Sequence, residues 1–289
     1  MVYSCLGFAS SLGARHSGSE KAPKVLSEEL AFDELQWGQI LSIEEKRGDP
    51  YEQLAYYSYY FAQGCRMAQS HSLPLFAFGG DHSIAIATWS AISEAIKEEG
   101  DLGLLWFDAH MDAHTPATTE SGFIHGMPLA ALLGYGDDRL TQLLSDRPKL
   151  KPQHVKLIGV RSFEEGERAL LEKLGVKVYF MEEVERRGLR VVVQEALSSL
   201  EGQTAGYGIS FDVDAVDPRF VAATGTPVAG GLDSGEVIDA MELFVAKPPL
   251  AFELVEYNPL LDADGTTLAF IRALLTPLVT RKLGSCLKK

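Results

Sequence analysis

At 289 residues the chain is long enough for one large domain or two ordinary ones, and its 46% hydrophobic content supports a full core. Its 26 basic residues stand against 40 acidic ones, and the net charge of −14 argues against nucleic acid and anionic membrane surfaces as partners. The three cysteines, Cys5, Cys65 and Cys286, are far apart and form no CxxC pair, which speaks against a disulfide framework or a thiolate zinc site and fits a reducing compartment. No apolar run approaches the roughly 20 residues that cross a bilayer. The opening MVYSCLGFASS has no basic residue ahead of its apolar part. A cytoplasmic protein is expected.

In chain order, apolar strand candidates alternate with amphipathic helix candidates. VYSCLGFA is followed by PYEQLAYYSYYFAQGCRMAQ, LPLFAF by IAIATWSAISEAIKEE, and LGLLWF and VKLIGV by FEEGERALLEKLG. Then come VKVYF, RVVVQEALSSL, YGISF, SGEVIDAMELFVA, AFELVEY and FIRALLTPLV. Strands that are apolar throughout, spaced by helices of this length, predict βαβ units and a parallel sheet covered on both faces. With no repeat or Pro/Ser-rich linker, the expectation is a single three-layer α/β domain over residues 1–289, its parallel sheet having about eight strands. The basic stretch TRKLGSCLKK, about residues 280–289, reads as an intersubunit contact or a disordered tail.

Three polar segments follow strands. GGDHS comes after LPLFAF, DAHMDAHTPATTESGFIHGMP after LGLLWF, and DVDAVDPRFVAATGTPVAGG after YGISF. In a parallel sheet the carboxyl ends of the strands open on one edge, so these clusters are expected to meet. Asp212 and Asp214 are two apart and face one side of an extended chain. Asp108, His110 and Asp112 repeat that spacing, and His82 comes from a neighbouring strand with Gly79 and Gly80 allowing a tight turn before it. Four carboxylates in one cleft raise each other's pKa unless positive charge is supplied, and two divalent cations would cancel them. Oxygen-rich ligation with one imidazole per metal suits Mn²⁺, with Fe²⁺, Co²⁺ and Ni²⁺ as alternatives. A metal pair of this kind acidifies water and points to hydrolysis.

GGDHS, DAHMD, SGFIHGMP and SFDVDAVDPRFVAATGTPVAGGL resemble the arginase family of ureohydrolases, whose relatives include agmatinases, guanidino-acid hydrolases and formiminoglutamases. The likeness runs from GFASSLGARHSGSEKAP to VEYNPLLD. It implies two manganese ions, one held by His82, Asp108, Asp112 and Asp212 and the other by His110, Asp108, Asp212 and Asp214. It further implies attack by a metal-bridging hydroxide on the guanidinium carbon of L-arginine, giving urea and L-ornithine. His125 corresponds to the family's proton-handling histidine, Glu256 to the glutamate that pairs with the substrate guanidinium, and Thr226 to a threonine near the same group. Thr119 and Ser121 resemble substrate-carboxylate contacts, and Glu164 and Glu167 the acids that take the α-ammonium. The chain departs from the family at His114 and Phe123, where asparagines are usual. A histidine at 114 can still donate to a carboxylate, so the departure bears on substrate choice more than on chemistry. The alternatives are a ureohydrolase acting on another guanidino compound (agmatine, a guanidino acid) or on formiminoglutamate, and a non-catalytic metal-binding regulatory protein. The resemblance also implies a homo-oligomer, trimer or hexamer, and a small-molecule guanidino substrate.

Overall fold

The computed structural model describes residues 2–44, 48–70 and 74–280. Eight strands are formed: β1 Tyr3–Ala9, β2 Leu35–Ser42, β3 Leu75–Gly79, β4 Leu102–Phe107, β5 Val155–Val160, β6 Lys177–Phe180, β7 Gly206–Asp212 and β8 Ala251–Val255. They make one sheet in the order β2-β1-β3-β8-β7-β4-β5-β6, and every pairing is parallel. The helices are α1 Ala22–Glu29, α2 Pro50–Ser70, α3 Ala85–Ala95, α4 Pro128–Leu132, α5 Asp138–Thr141, α6 Glu165–Leu174, α7 Met181–Arg187, α8 Leu189–Leu200, α9 Ser234–Met241, α10 Leu243–Ala246 and α11 Thr266–Val279.

Successive strand side chains point to opposite faces, and each face builds its own core. Phe76, Phe78, Leu105 and Phe107 pack with α1, α8, α9 and α11 on one side. Leu75, Ala77, Leu104 and Trp106 pack with α2, α3 and α6 on the other. This is the three-layer α/β architecture that the apolar strands foretold. Gly208 on β7 shows how tight the second layer is: a Cβ there would lie 2.0 Å from the Trp89 ring of α3.

Several elements differ from the sequence expectation. Strand β2 lies at the sheet edge with mixed exposure, so LQWGQILS lacks the apolar run that marks the central strands. Helix α3 stops at Ala95, before the polar KEEG stretch, rather than running through it. The single helix expected over SGEVIDAMELFVA is divided into α9 and α10 at Glu242. Strand β8 ends at Val255 because Glu256 takes a left-handed φ of 65°, turning the chain out of the sheet. Gly79 and Gly80 do not have positive φ. They are required by close approach, since a Cβ on Gly80 would meet the Ser10 carbonyl oxygen at 1.8 Å. Among the described residues no helix is long and apolar enough to cross a membrane. Of the basic tail only Thr280 is described, and residues 281–289, Cys286 with them, lie outside the described residues.

Candidate metal centre and its cleft

The strand order places β3, β8, β7 and β4 side by side, so the segments leaving their carboxyl ends converge. Asp81, just past β3, caps the turn that follows by accepting from Ser83 N at 2.9 Å, and this delivers His82 into the interior with no exposure. The His82 ring stacks on the Trp106 indole of β4 with centroids 4.2 Å apart. Trp106 Nε1 in turn donates to Asp108 Oδ2 at 2.9 Å. His82 Nδ1 lies 3.2 Å from Asp108 Oδ2, 2.9 Å from Asp112 Oδ2 and 3.2 Å from Asp212 Oδ2. His110 Nδ1 lies 3.4 Å from Asp108 Oδ1 and 3.2 Å from Asp214 Oδ2. Two groups able to hold a cation result, His82 with Asp108 and Asp212, and His110 with Asp108 and Asp214. Asp108 belongs to both, one oxygen turned towards each histidine.

The hydrogen bonding behind His82 tests whether a cation fits. Ser210 Oγ gives its one proton to Glu253 Oε1 at 2.8 Å, so His82 Nε2, 2.9 Å from the same hydroxyl, must be the donor. That leaves the lone pair of a neutral ring on Nδ1, an atom fully buried among three carboxylate oxygens without an aligned hydrogen bond. Such an arrangement repels itself unless positive charge sits between the atoms. Without a cation, a proton has to take that place: burial opposes charge on His82, yet the surrounding carboxylates of Asp108, Asp112 and Asp212 hold its pKa well above the ordinary 6.5. Burial and then the Asp108 charge push Asp112 up to about 6, and burial with Asp214 and Asp108 drives Asp212 well above its usual range. Asp108 goes the other way, because His110 and His82 outweigh its burial. Oxygen donors with one imidazole in each group fit divalent ions. Asp112 shares with Glu256 a left-handed φ, 49° against 65°, and backbone of this kind costs on the order of 1–3 kcal/mol at a non-glycine residue. Both lie at this site, Asp112 in the cleft wall and Glu256 beside His82 and His125, while a third such residue, Leu144, does not line the cleft.

The remaining expected residues gather around the same opening. His125 Nδ1 and Glu256 Oε1 are 3.0 Å apart, and Glu256 Oε1 also accepts from His82 N at 2.9 Å. Burial lowers His125, but its bond to Glu256 prevails and lifts it to about 9. Thr226 Oγ1 donates to Asp214 Oδ2 at 3.0 Å. His110, Asp112, Asp212, His125 and Thr226 all line a cleft of about 420 Å³, within the roughly 300–1,000 Å³ of small-molecule sites. His114, Ser121, Glu164 and Glu167 line it too. Thr119 stands on the rim with its hydroxyl 3.5 Å from that of Ser121. His114 is turned to the chain's own groups: Nε2 is 2.9 Å from Glu164 Oε2 and 3.4 Å from Glu167 Oε2, and Nδ1 is 3.2 Å from Thr118 Oγ1. Glu167 is buried and accepts from Ala113 N and Glu164 N, while burial still pushes it up to about 8. Glu164 is half exposed and is drawn below the usual range by His114.

The supports of this site carry no motif of their own. Ser210 shares the period-2 face of Asp212 on β7, a signal that was there to be read, whereas Asp214 lies past the strand in a 3-10 turn, Val213–Ala215, and not in the extended chain expected for it. Glu253 is an acid in the middle of an apolar strand, fully buried, and also receives Trp89 Nε1 at 3.0 Å. Arg161 donates to the carbonyls of Gly159, Asp214, Ala215 and Val228, tying the loops after β5 and β7 together.

A covered parallel sheet with adjoining His/Asp groups at its carboxyl edge defines the class as an α/β protein with a metal-dependent hydrolytic site. A family model described as Arginase family matches residues 3–279. The arginase of Bacillus caldovelox is 43% identical over 219 residues, 75% of this chain and 72% of its own. That of Brevibacillus brevis is 40% identical over 206 residues, 71% of this chain and 68% of its own. The solved arginase from Bacillus cereus superposes with a TM-score of 0.89 at 34% identity, covering 97% of this chain and 99% of its own. The chain belongs to the arginase family.

Proposed function

We propose that this metal-dependent amidinohydrolase cleaves the guanidinium group of L-arginine to urea and L-ornithine, using two manganese ions. The observation that carries the reading is His82 Nδ1 buried among the carboxylates of Asp108, Asp112 and Asp212 at 2.9–3.2 Å, with Asp108 reaching on to the His110 group. His82, Asp108, Asp112 and Asp212 would hold one ion, and His110, Asp108, Asp212 and Asp214 the other. When bound, the metal pair lowers the pKa of water and so supplies hydroxide near neutral pH. Glu256 orients the planar guanidinium through charge-assisted N–H···O bonds. Its carboxylate is buried and held from behind by His82 N, so it is set in position before substrate arrives. His125 delivers a proton to the leaving amine, and its contact with Glu256 keeps its ring at the cleft wall. Thr226 steadies Asp214, and the wall of His114, Thr119, Ser121, Glu164 and Glu167 takes the amino-acid end.

A second reading, hydrolysis of another guanidino compound, draws support from the His114–Glu164 contact of 2.9 Å, which engages an acid otherwise open to an α-ammonium. A non-catalytic metal-binding role is disfavoured because all six expected ligands converge. The protein is further proposed to be a single-domain, cytoplasmic homo-oligomer, trimer or hexamer, in keeping with its composition and family. Urea release from L-arginine, agmatine and 4-guanidinobutyrate, each with Mn²⁺, Co²⁺ and Ni²⁺, tests the assignment. Turnover of agmatine or 4-guanidinobutyrate far above that of arginine contradicts it.

A further inference from the structure

We infer that Arg15 meets the carboxylate of the substrate at the mouth of the cleft, a specificity contact supplied by the loop after β1. The inference rests on the guanidino-substrate reading above. Three observations carry it. First, Arg15 lines the same cleft as His114, Ser121 and Glu164. It is exposed, and among the described residues its guanidinium has no hydrogen bond or ion pair.

Second, the loop that presents it is fixed to the site. Gly13 N donates to Asp81 Oδ2 at 3.0 Å, and His125 N donates to the Gly13 carbonyl at 3.1 Å. The approach is so close that a Cβ on Gly13 would fall 2.9 Å from His125 N and 2.8 Å from Asp81 Oδ1. The backbone two residues before Arg15 is therefore held by the segments that carry His82 and His125.

Third, the amino-acid end of the wall offers an anion no other fixed positive charge. Both ring nitrogens of His114 are engaged, by Glu164 and Thr118. Glu120 and Glu164 also line the cleft and repel a carboxylate. Among the described lining residues Arg15 is the one permanently charged cation, and its planar fork matches a carboxylate with two parallel bonds. Ser121, on the same wall, adds a hydroxyl that can donate.

The test uses full-length, Mn²⁺-loaded protein and compares kcat/KM on L-arginine with kcat/KM on agmatine, which lacks the carboxylate. In Arg15→Ala the arginine-to-agmatine ratio falls tenfold or more, carried by KM for arginine, and Arg15→Lys recovers part of it. Inhibition by L-ornithine weakens in the same variant relative to inhibition by putrescine. An unchanged ratio in Arg15→Ala, or a loss of kcat shared by both substrates, overturns the inference while leaving arginine as substrate. If wild-type protein releases no urea from arginine, the substrate reading fails by itself. The Arg15 contact is then judged on 4-guanidinobutyrate against propylguanidine, where an unchanged ratio in the variant overturns it.

Discussion

Glu253 sets the ring of His82 through a single hydroxyl: Ser210 Oγ donates to Glu253 Oε1 at 2.8 Å and stands 2.9 Å from His82 Nε2. The acid lies at the centre of the sheet, yet it decides which histidine nitrogen faces the carboxylate cluster. Partners of this kind, behind a ligating histidine, change metal affinity by about 10–100-fold when removed. Ser210→Ala and Glu253→Gln are expected to weaken Mn²⁺ binding by that order in calorimetric titration, with secondary structure retained. Wild-type affinity in both variants would show that the relay does not act on the metal.

The cluster of aspartates costs the metal-free fold stability. Asp212 is buried, and burial together with the charges of Asp214 and Asp108 disfavours its ionised form. Asp212→Asn removes one of four converging carboxylates. The metal-free variant is expected to melt about 2 °C or more above metal-free wild type, the shift that ~1 kcal/mol produces in a chain of this size. With saturating Mn²⁺ the order reverses, because wild type gains binding energy that the variant lacks. A metal-free variant less stable than metal-free wild type contradicts the repulsion argument.

At the far end of the cleft, His114 stands 2.9 Å from Glu164 and 3.4 Å from Glu167. Replacing it with asparagine takes away the imidazole that engages both acids. His114→Asn is expected to lower KM for L-arginine several-fold without lowering KM for 4-guanidinobutyrate, which has no α-ammonium. Steady-state kinetics on the two substrates decides the matter, and equal effects on both would sink it.

His154 gives the fold a pH dependence remote from the cleft. It is buried, its Nδ1 has no hydrogen-bond partner among the described residues, and burial sets its pKa below the ordinary 6.5. The unfolded chain therefore takes up a proton at a higher pH than the folded one. The neutral imidazole's contribution is fully present above pH 6.5 and is lost as pH falls towards the folded pKa. Melting temperatures of wild type and His154→Gln, followed from pH 7.5 down to pH 5, are expected to converge. A gap that stays constant would exclude His154 as the cause.

The central strands and the six His and Asp residues of the candidate metal centre were legible because burial and charge make opposite demands on a sequence. LGLLWF is apolar throughout, as a strand covered on both faces is, and the charges of DAHMD that follow it need a counter-charge. Strand β2 escaped notice because an edge strand with one wet side lacks a continuous apolar run. Glu253 was hidden for the opposite reason, a single acid inside the apolar run AFELV. Its role depends on Ser210 and His82, which come from two other parts of the chain. The contacts of His114 were equally out of reach, since Glu164 is fifty residues away in sequence and meets it only after β5 lies beside β4. Arg15 belongs to the same group: a loop residue gains meaning only when Gly13 is seen bound to Asp81 and His125.

Asp108 joins the two carboxylate groups, so catalysis requires both to be filled together. Metal-stripped protein titrated with Mn²⁺, with bound metal and urea release from L-arginine measured on the same samples, tests this directly. The predicted result is binding that saturates at two ions per chain, with urea production rising to its plateau as the second site fills. Saturation at one ion with no urea formed would contradict it.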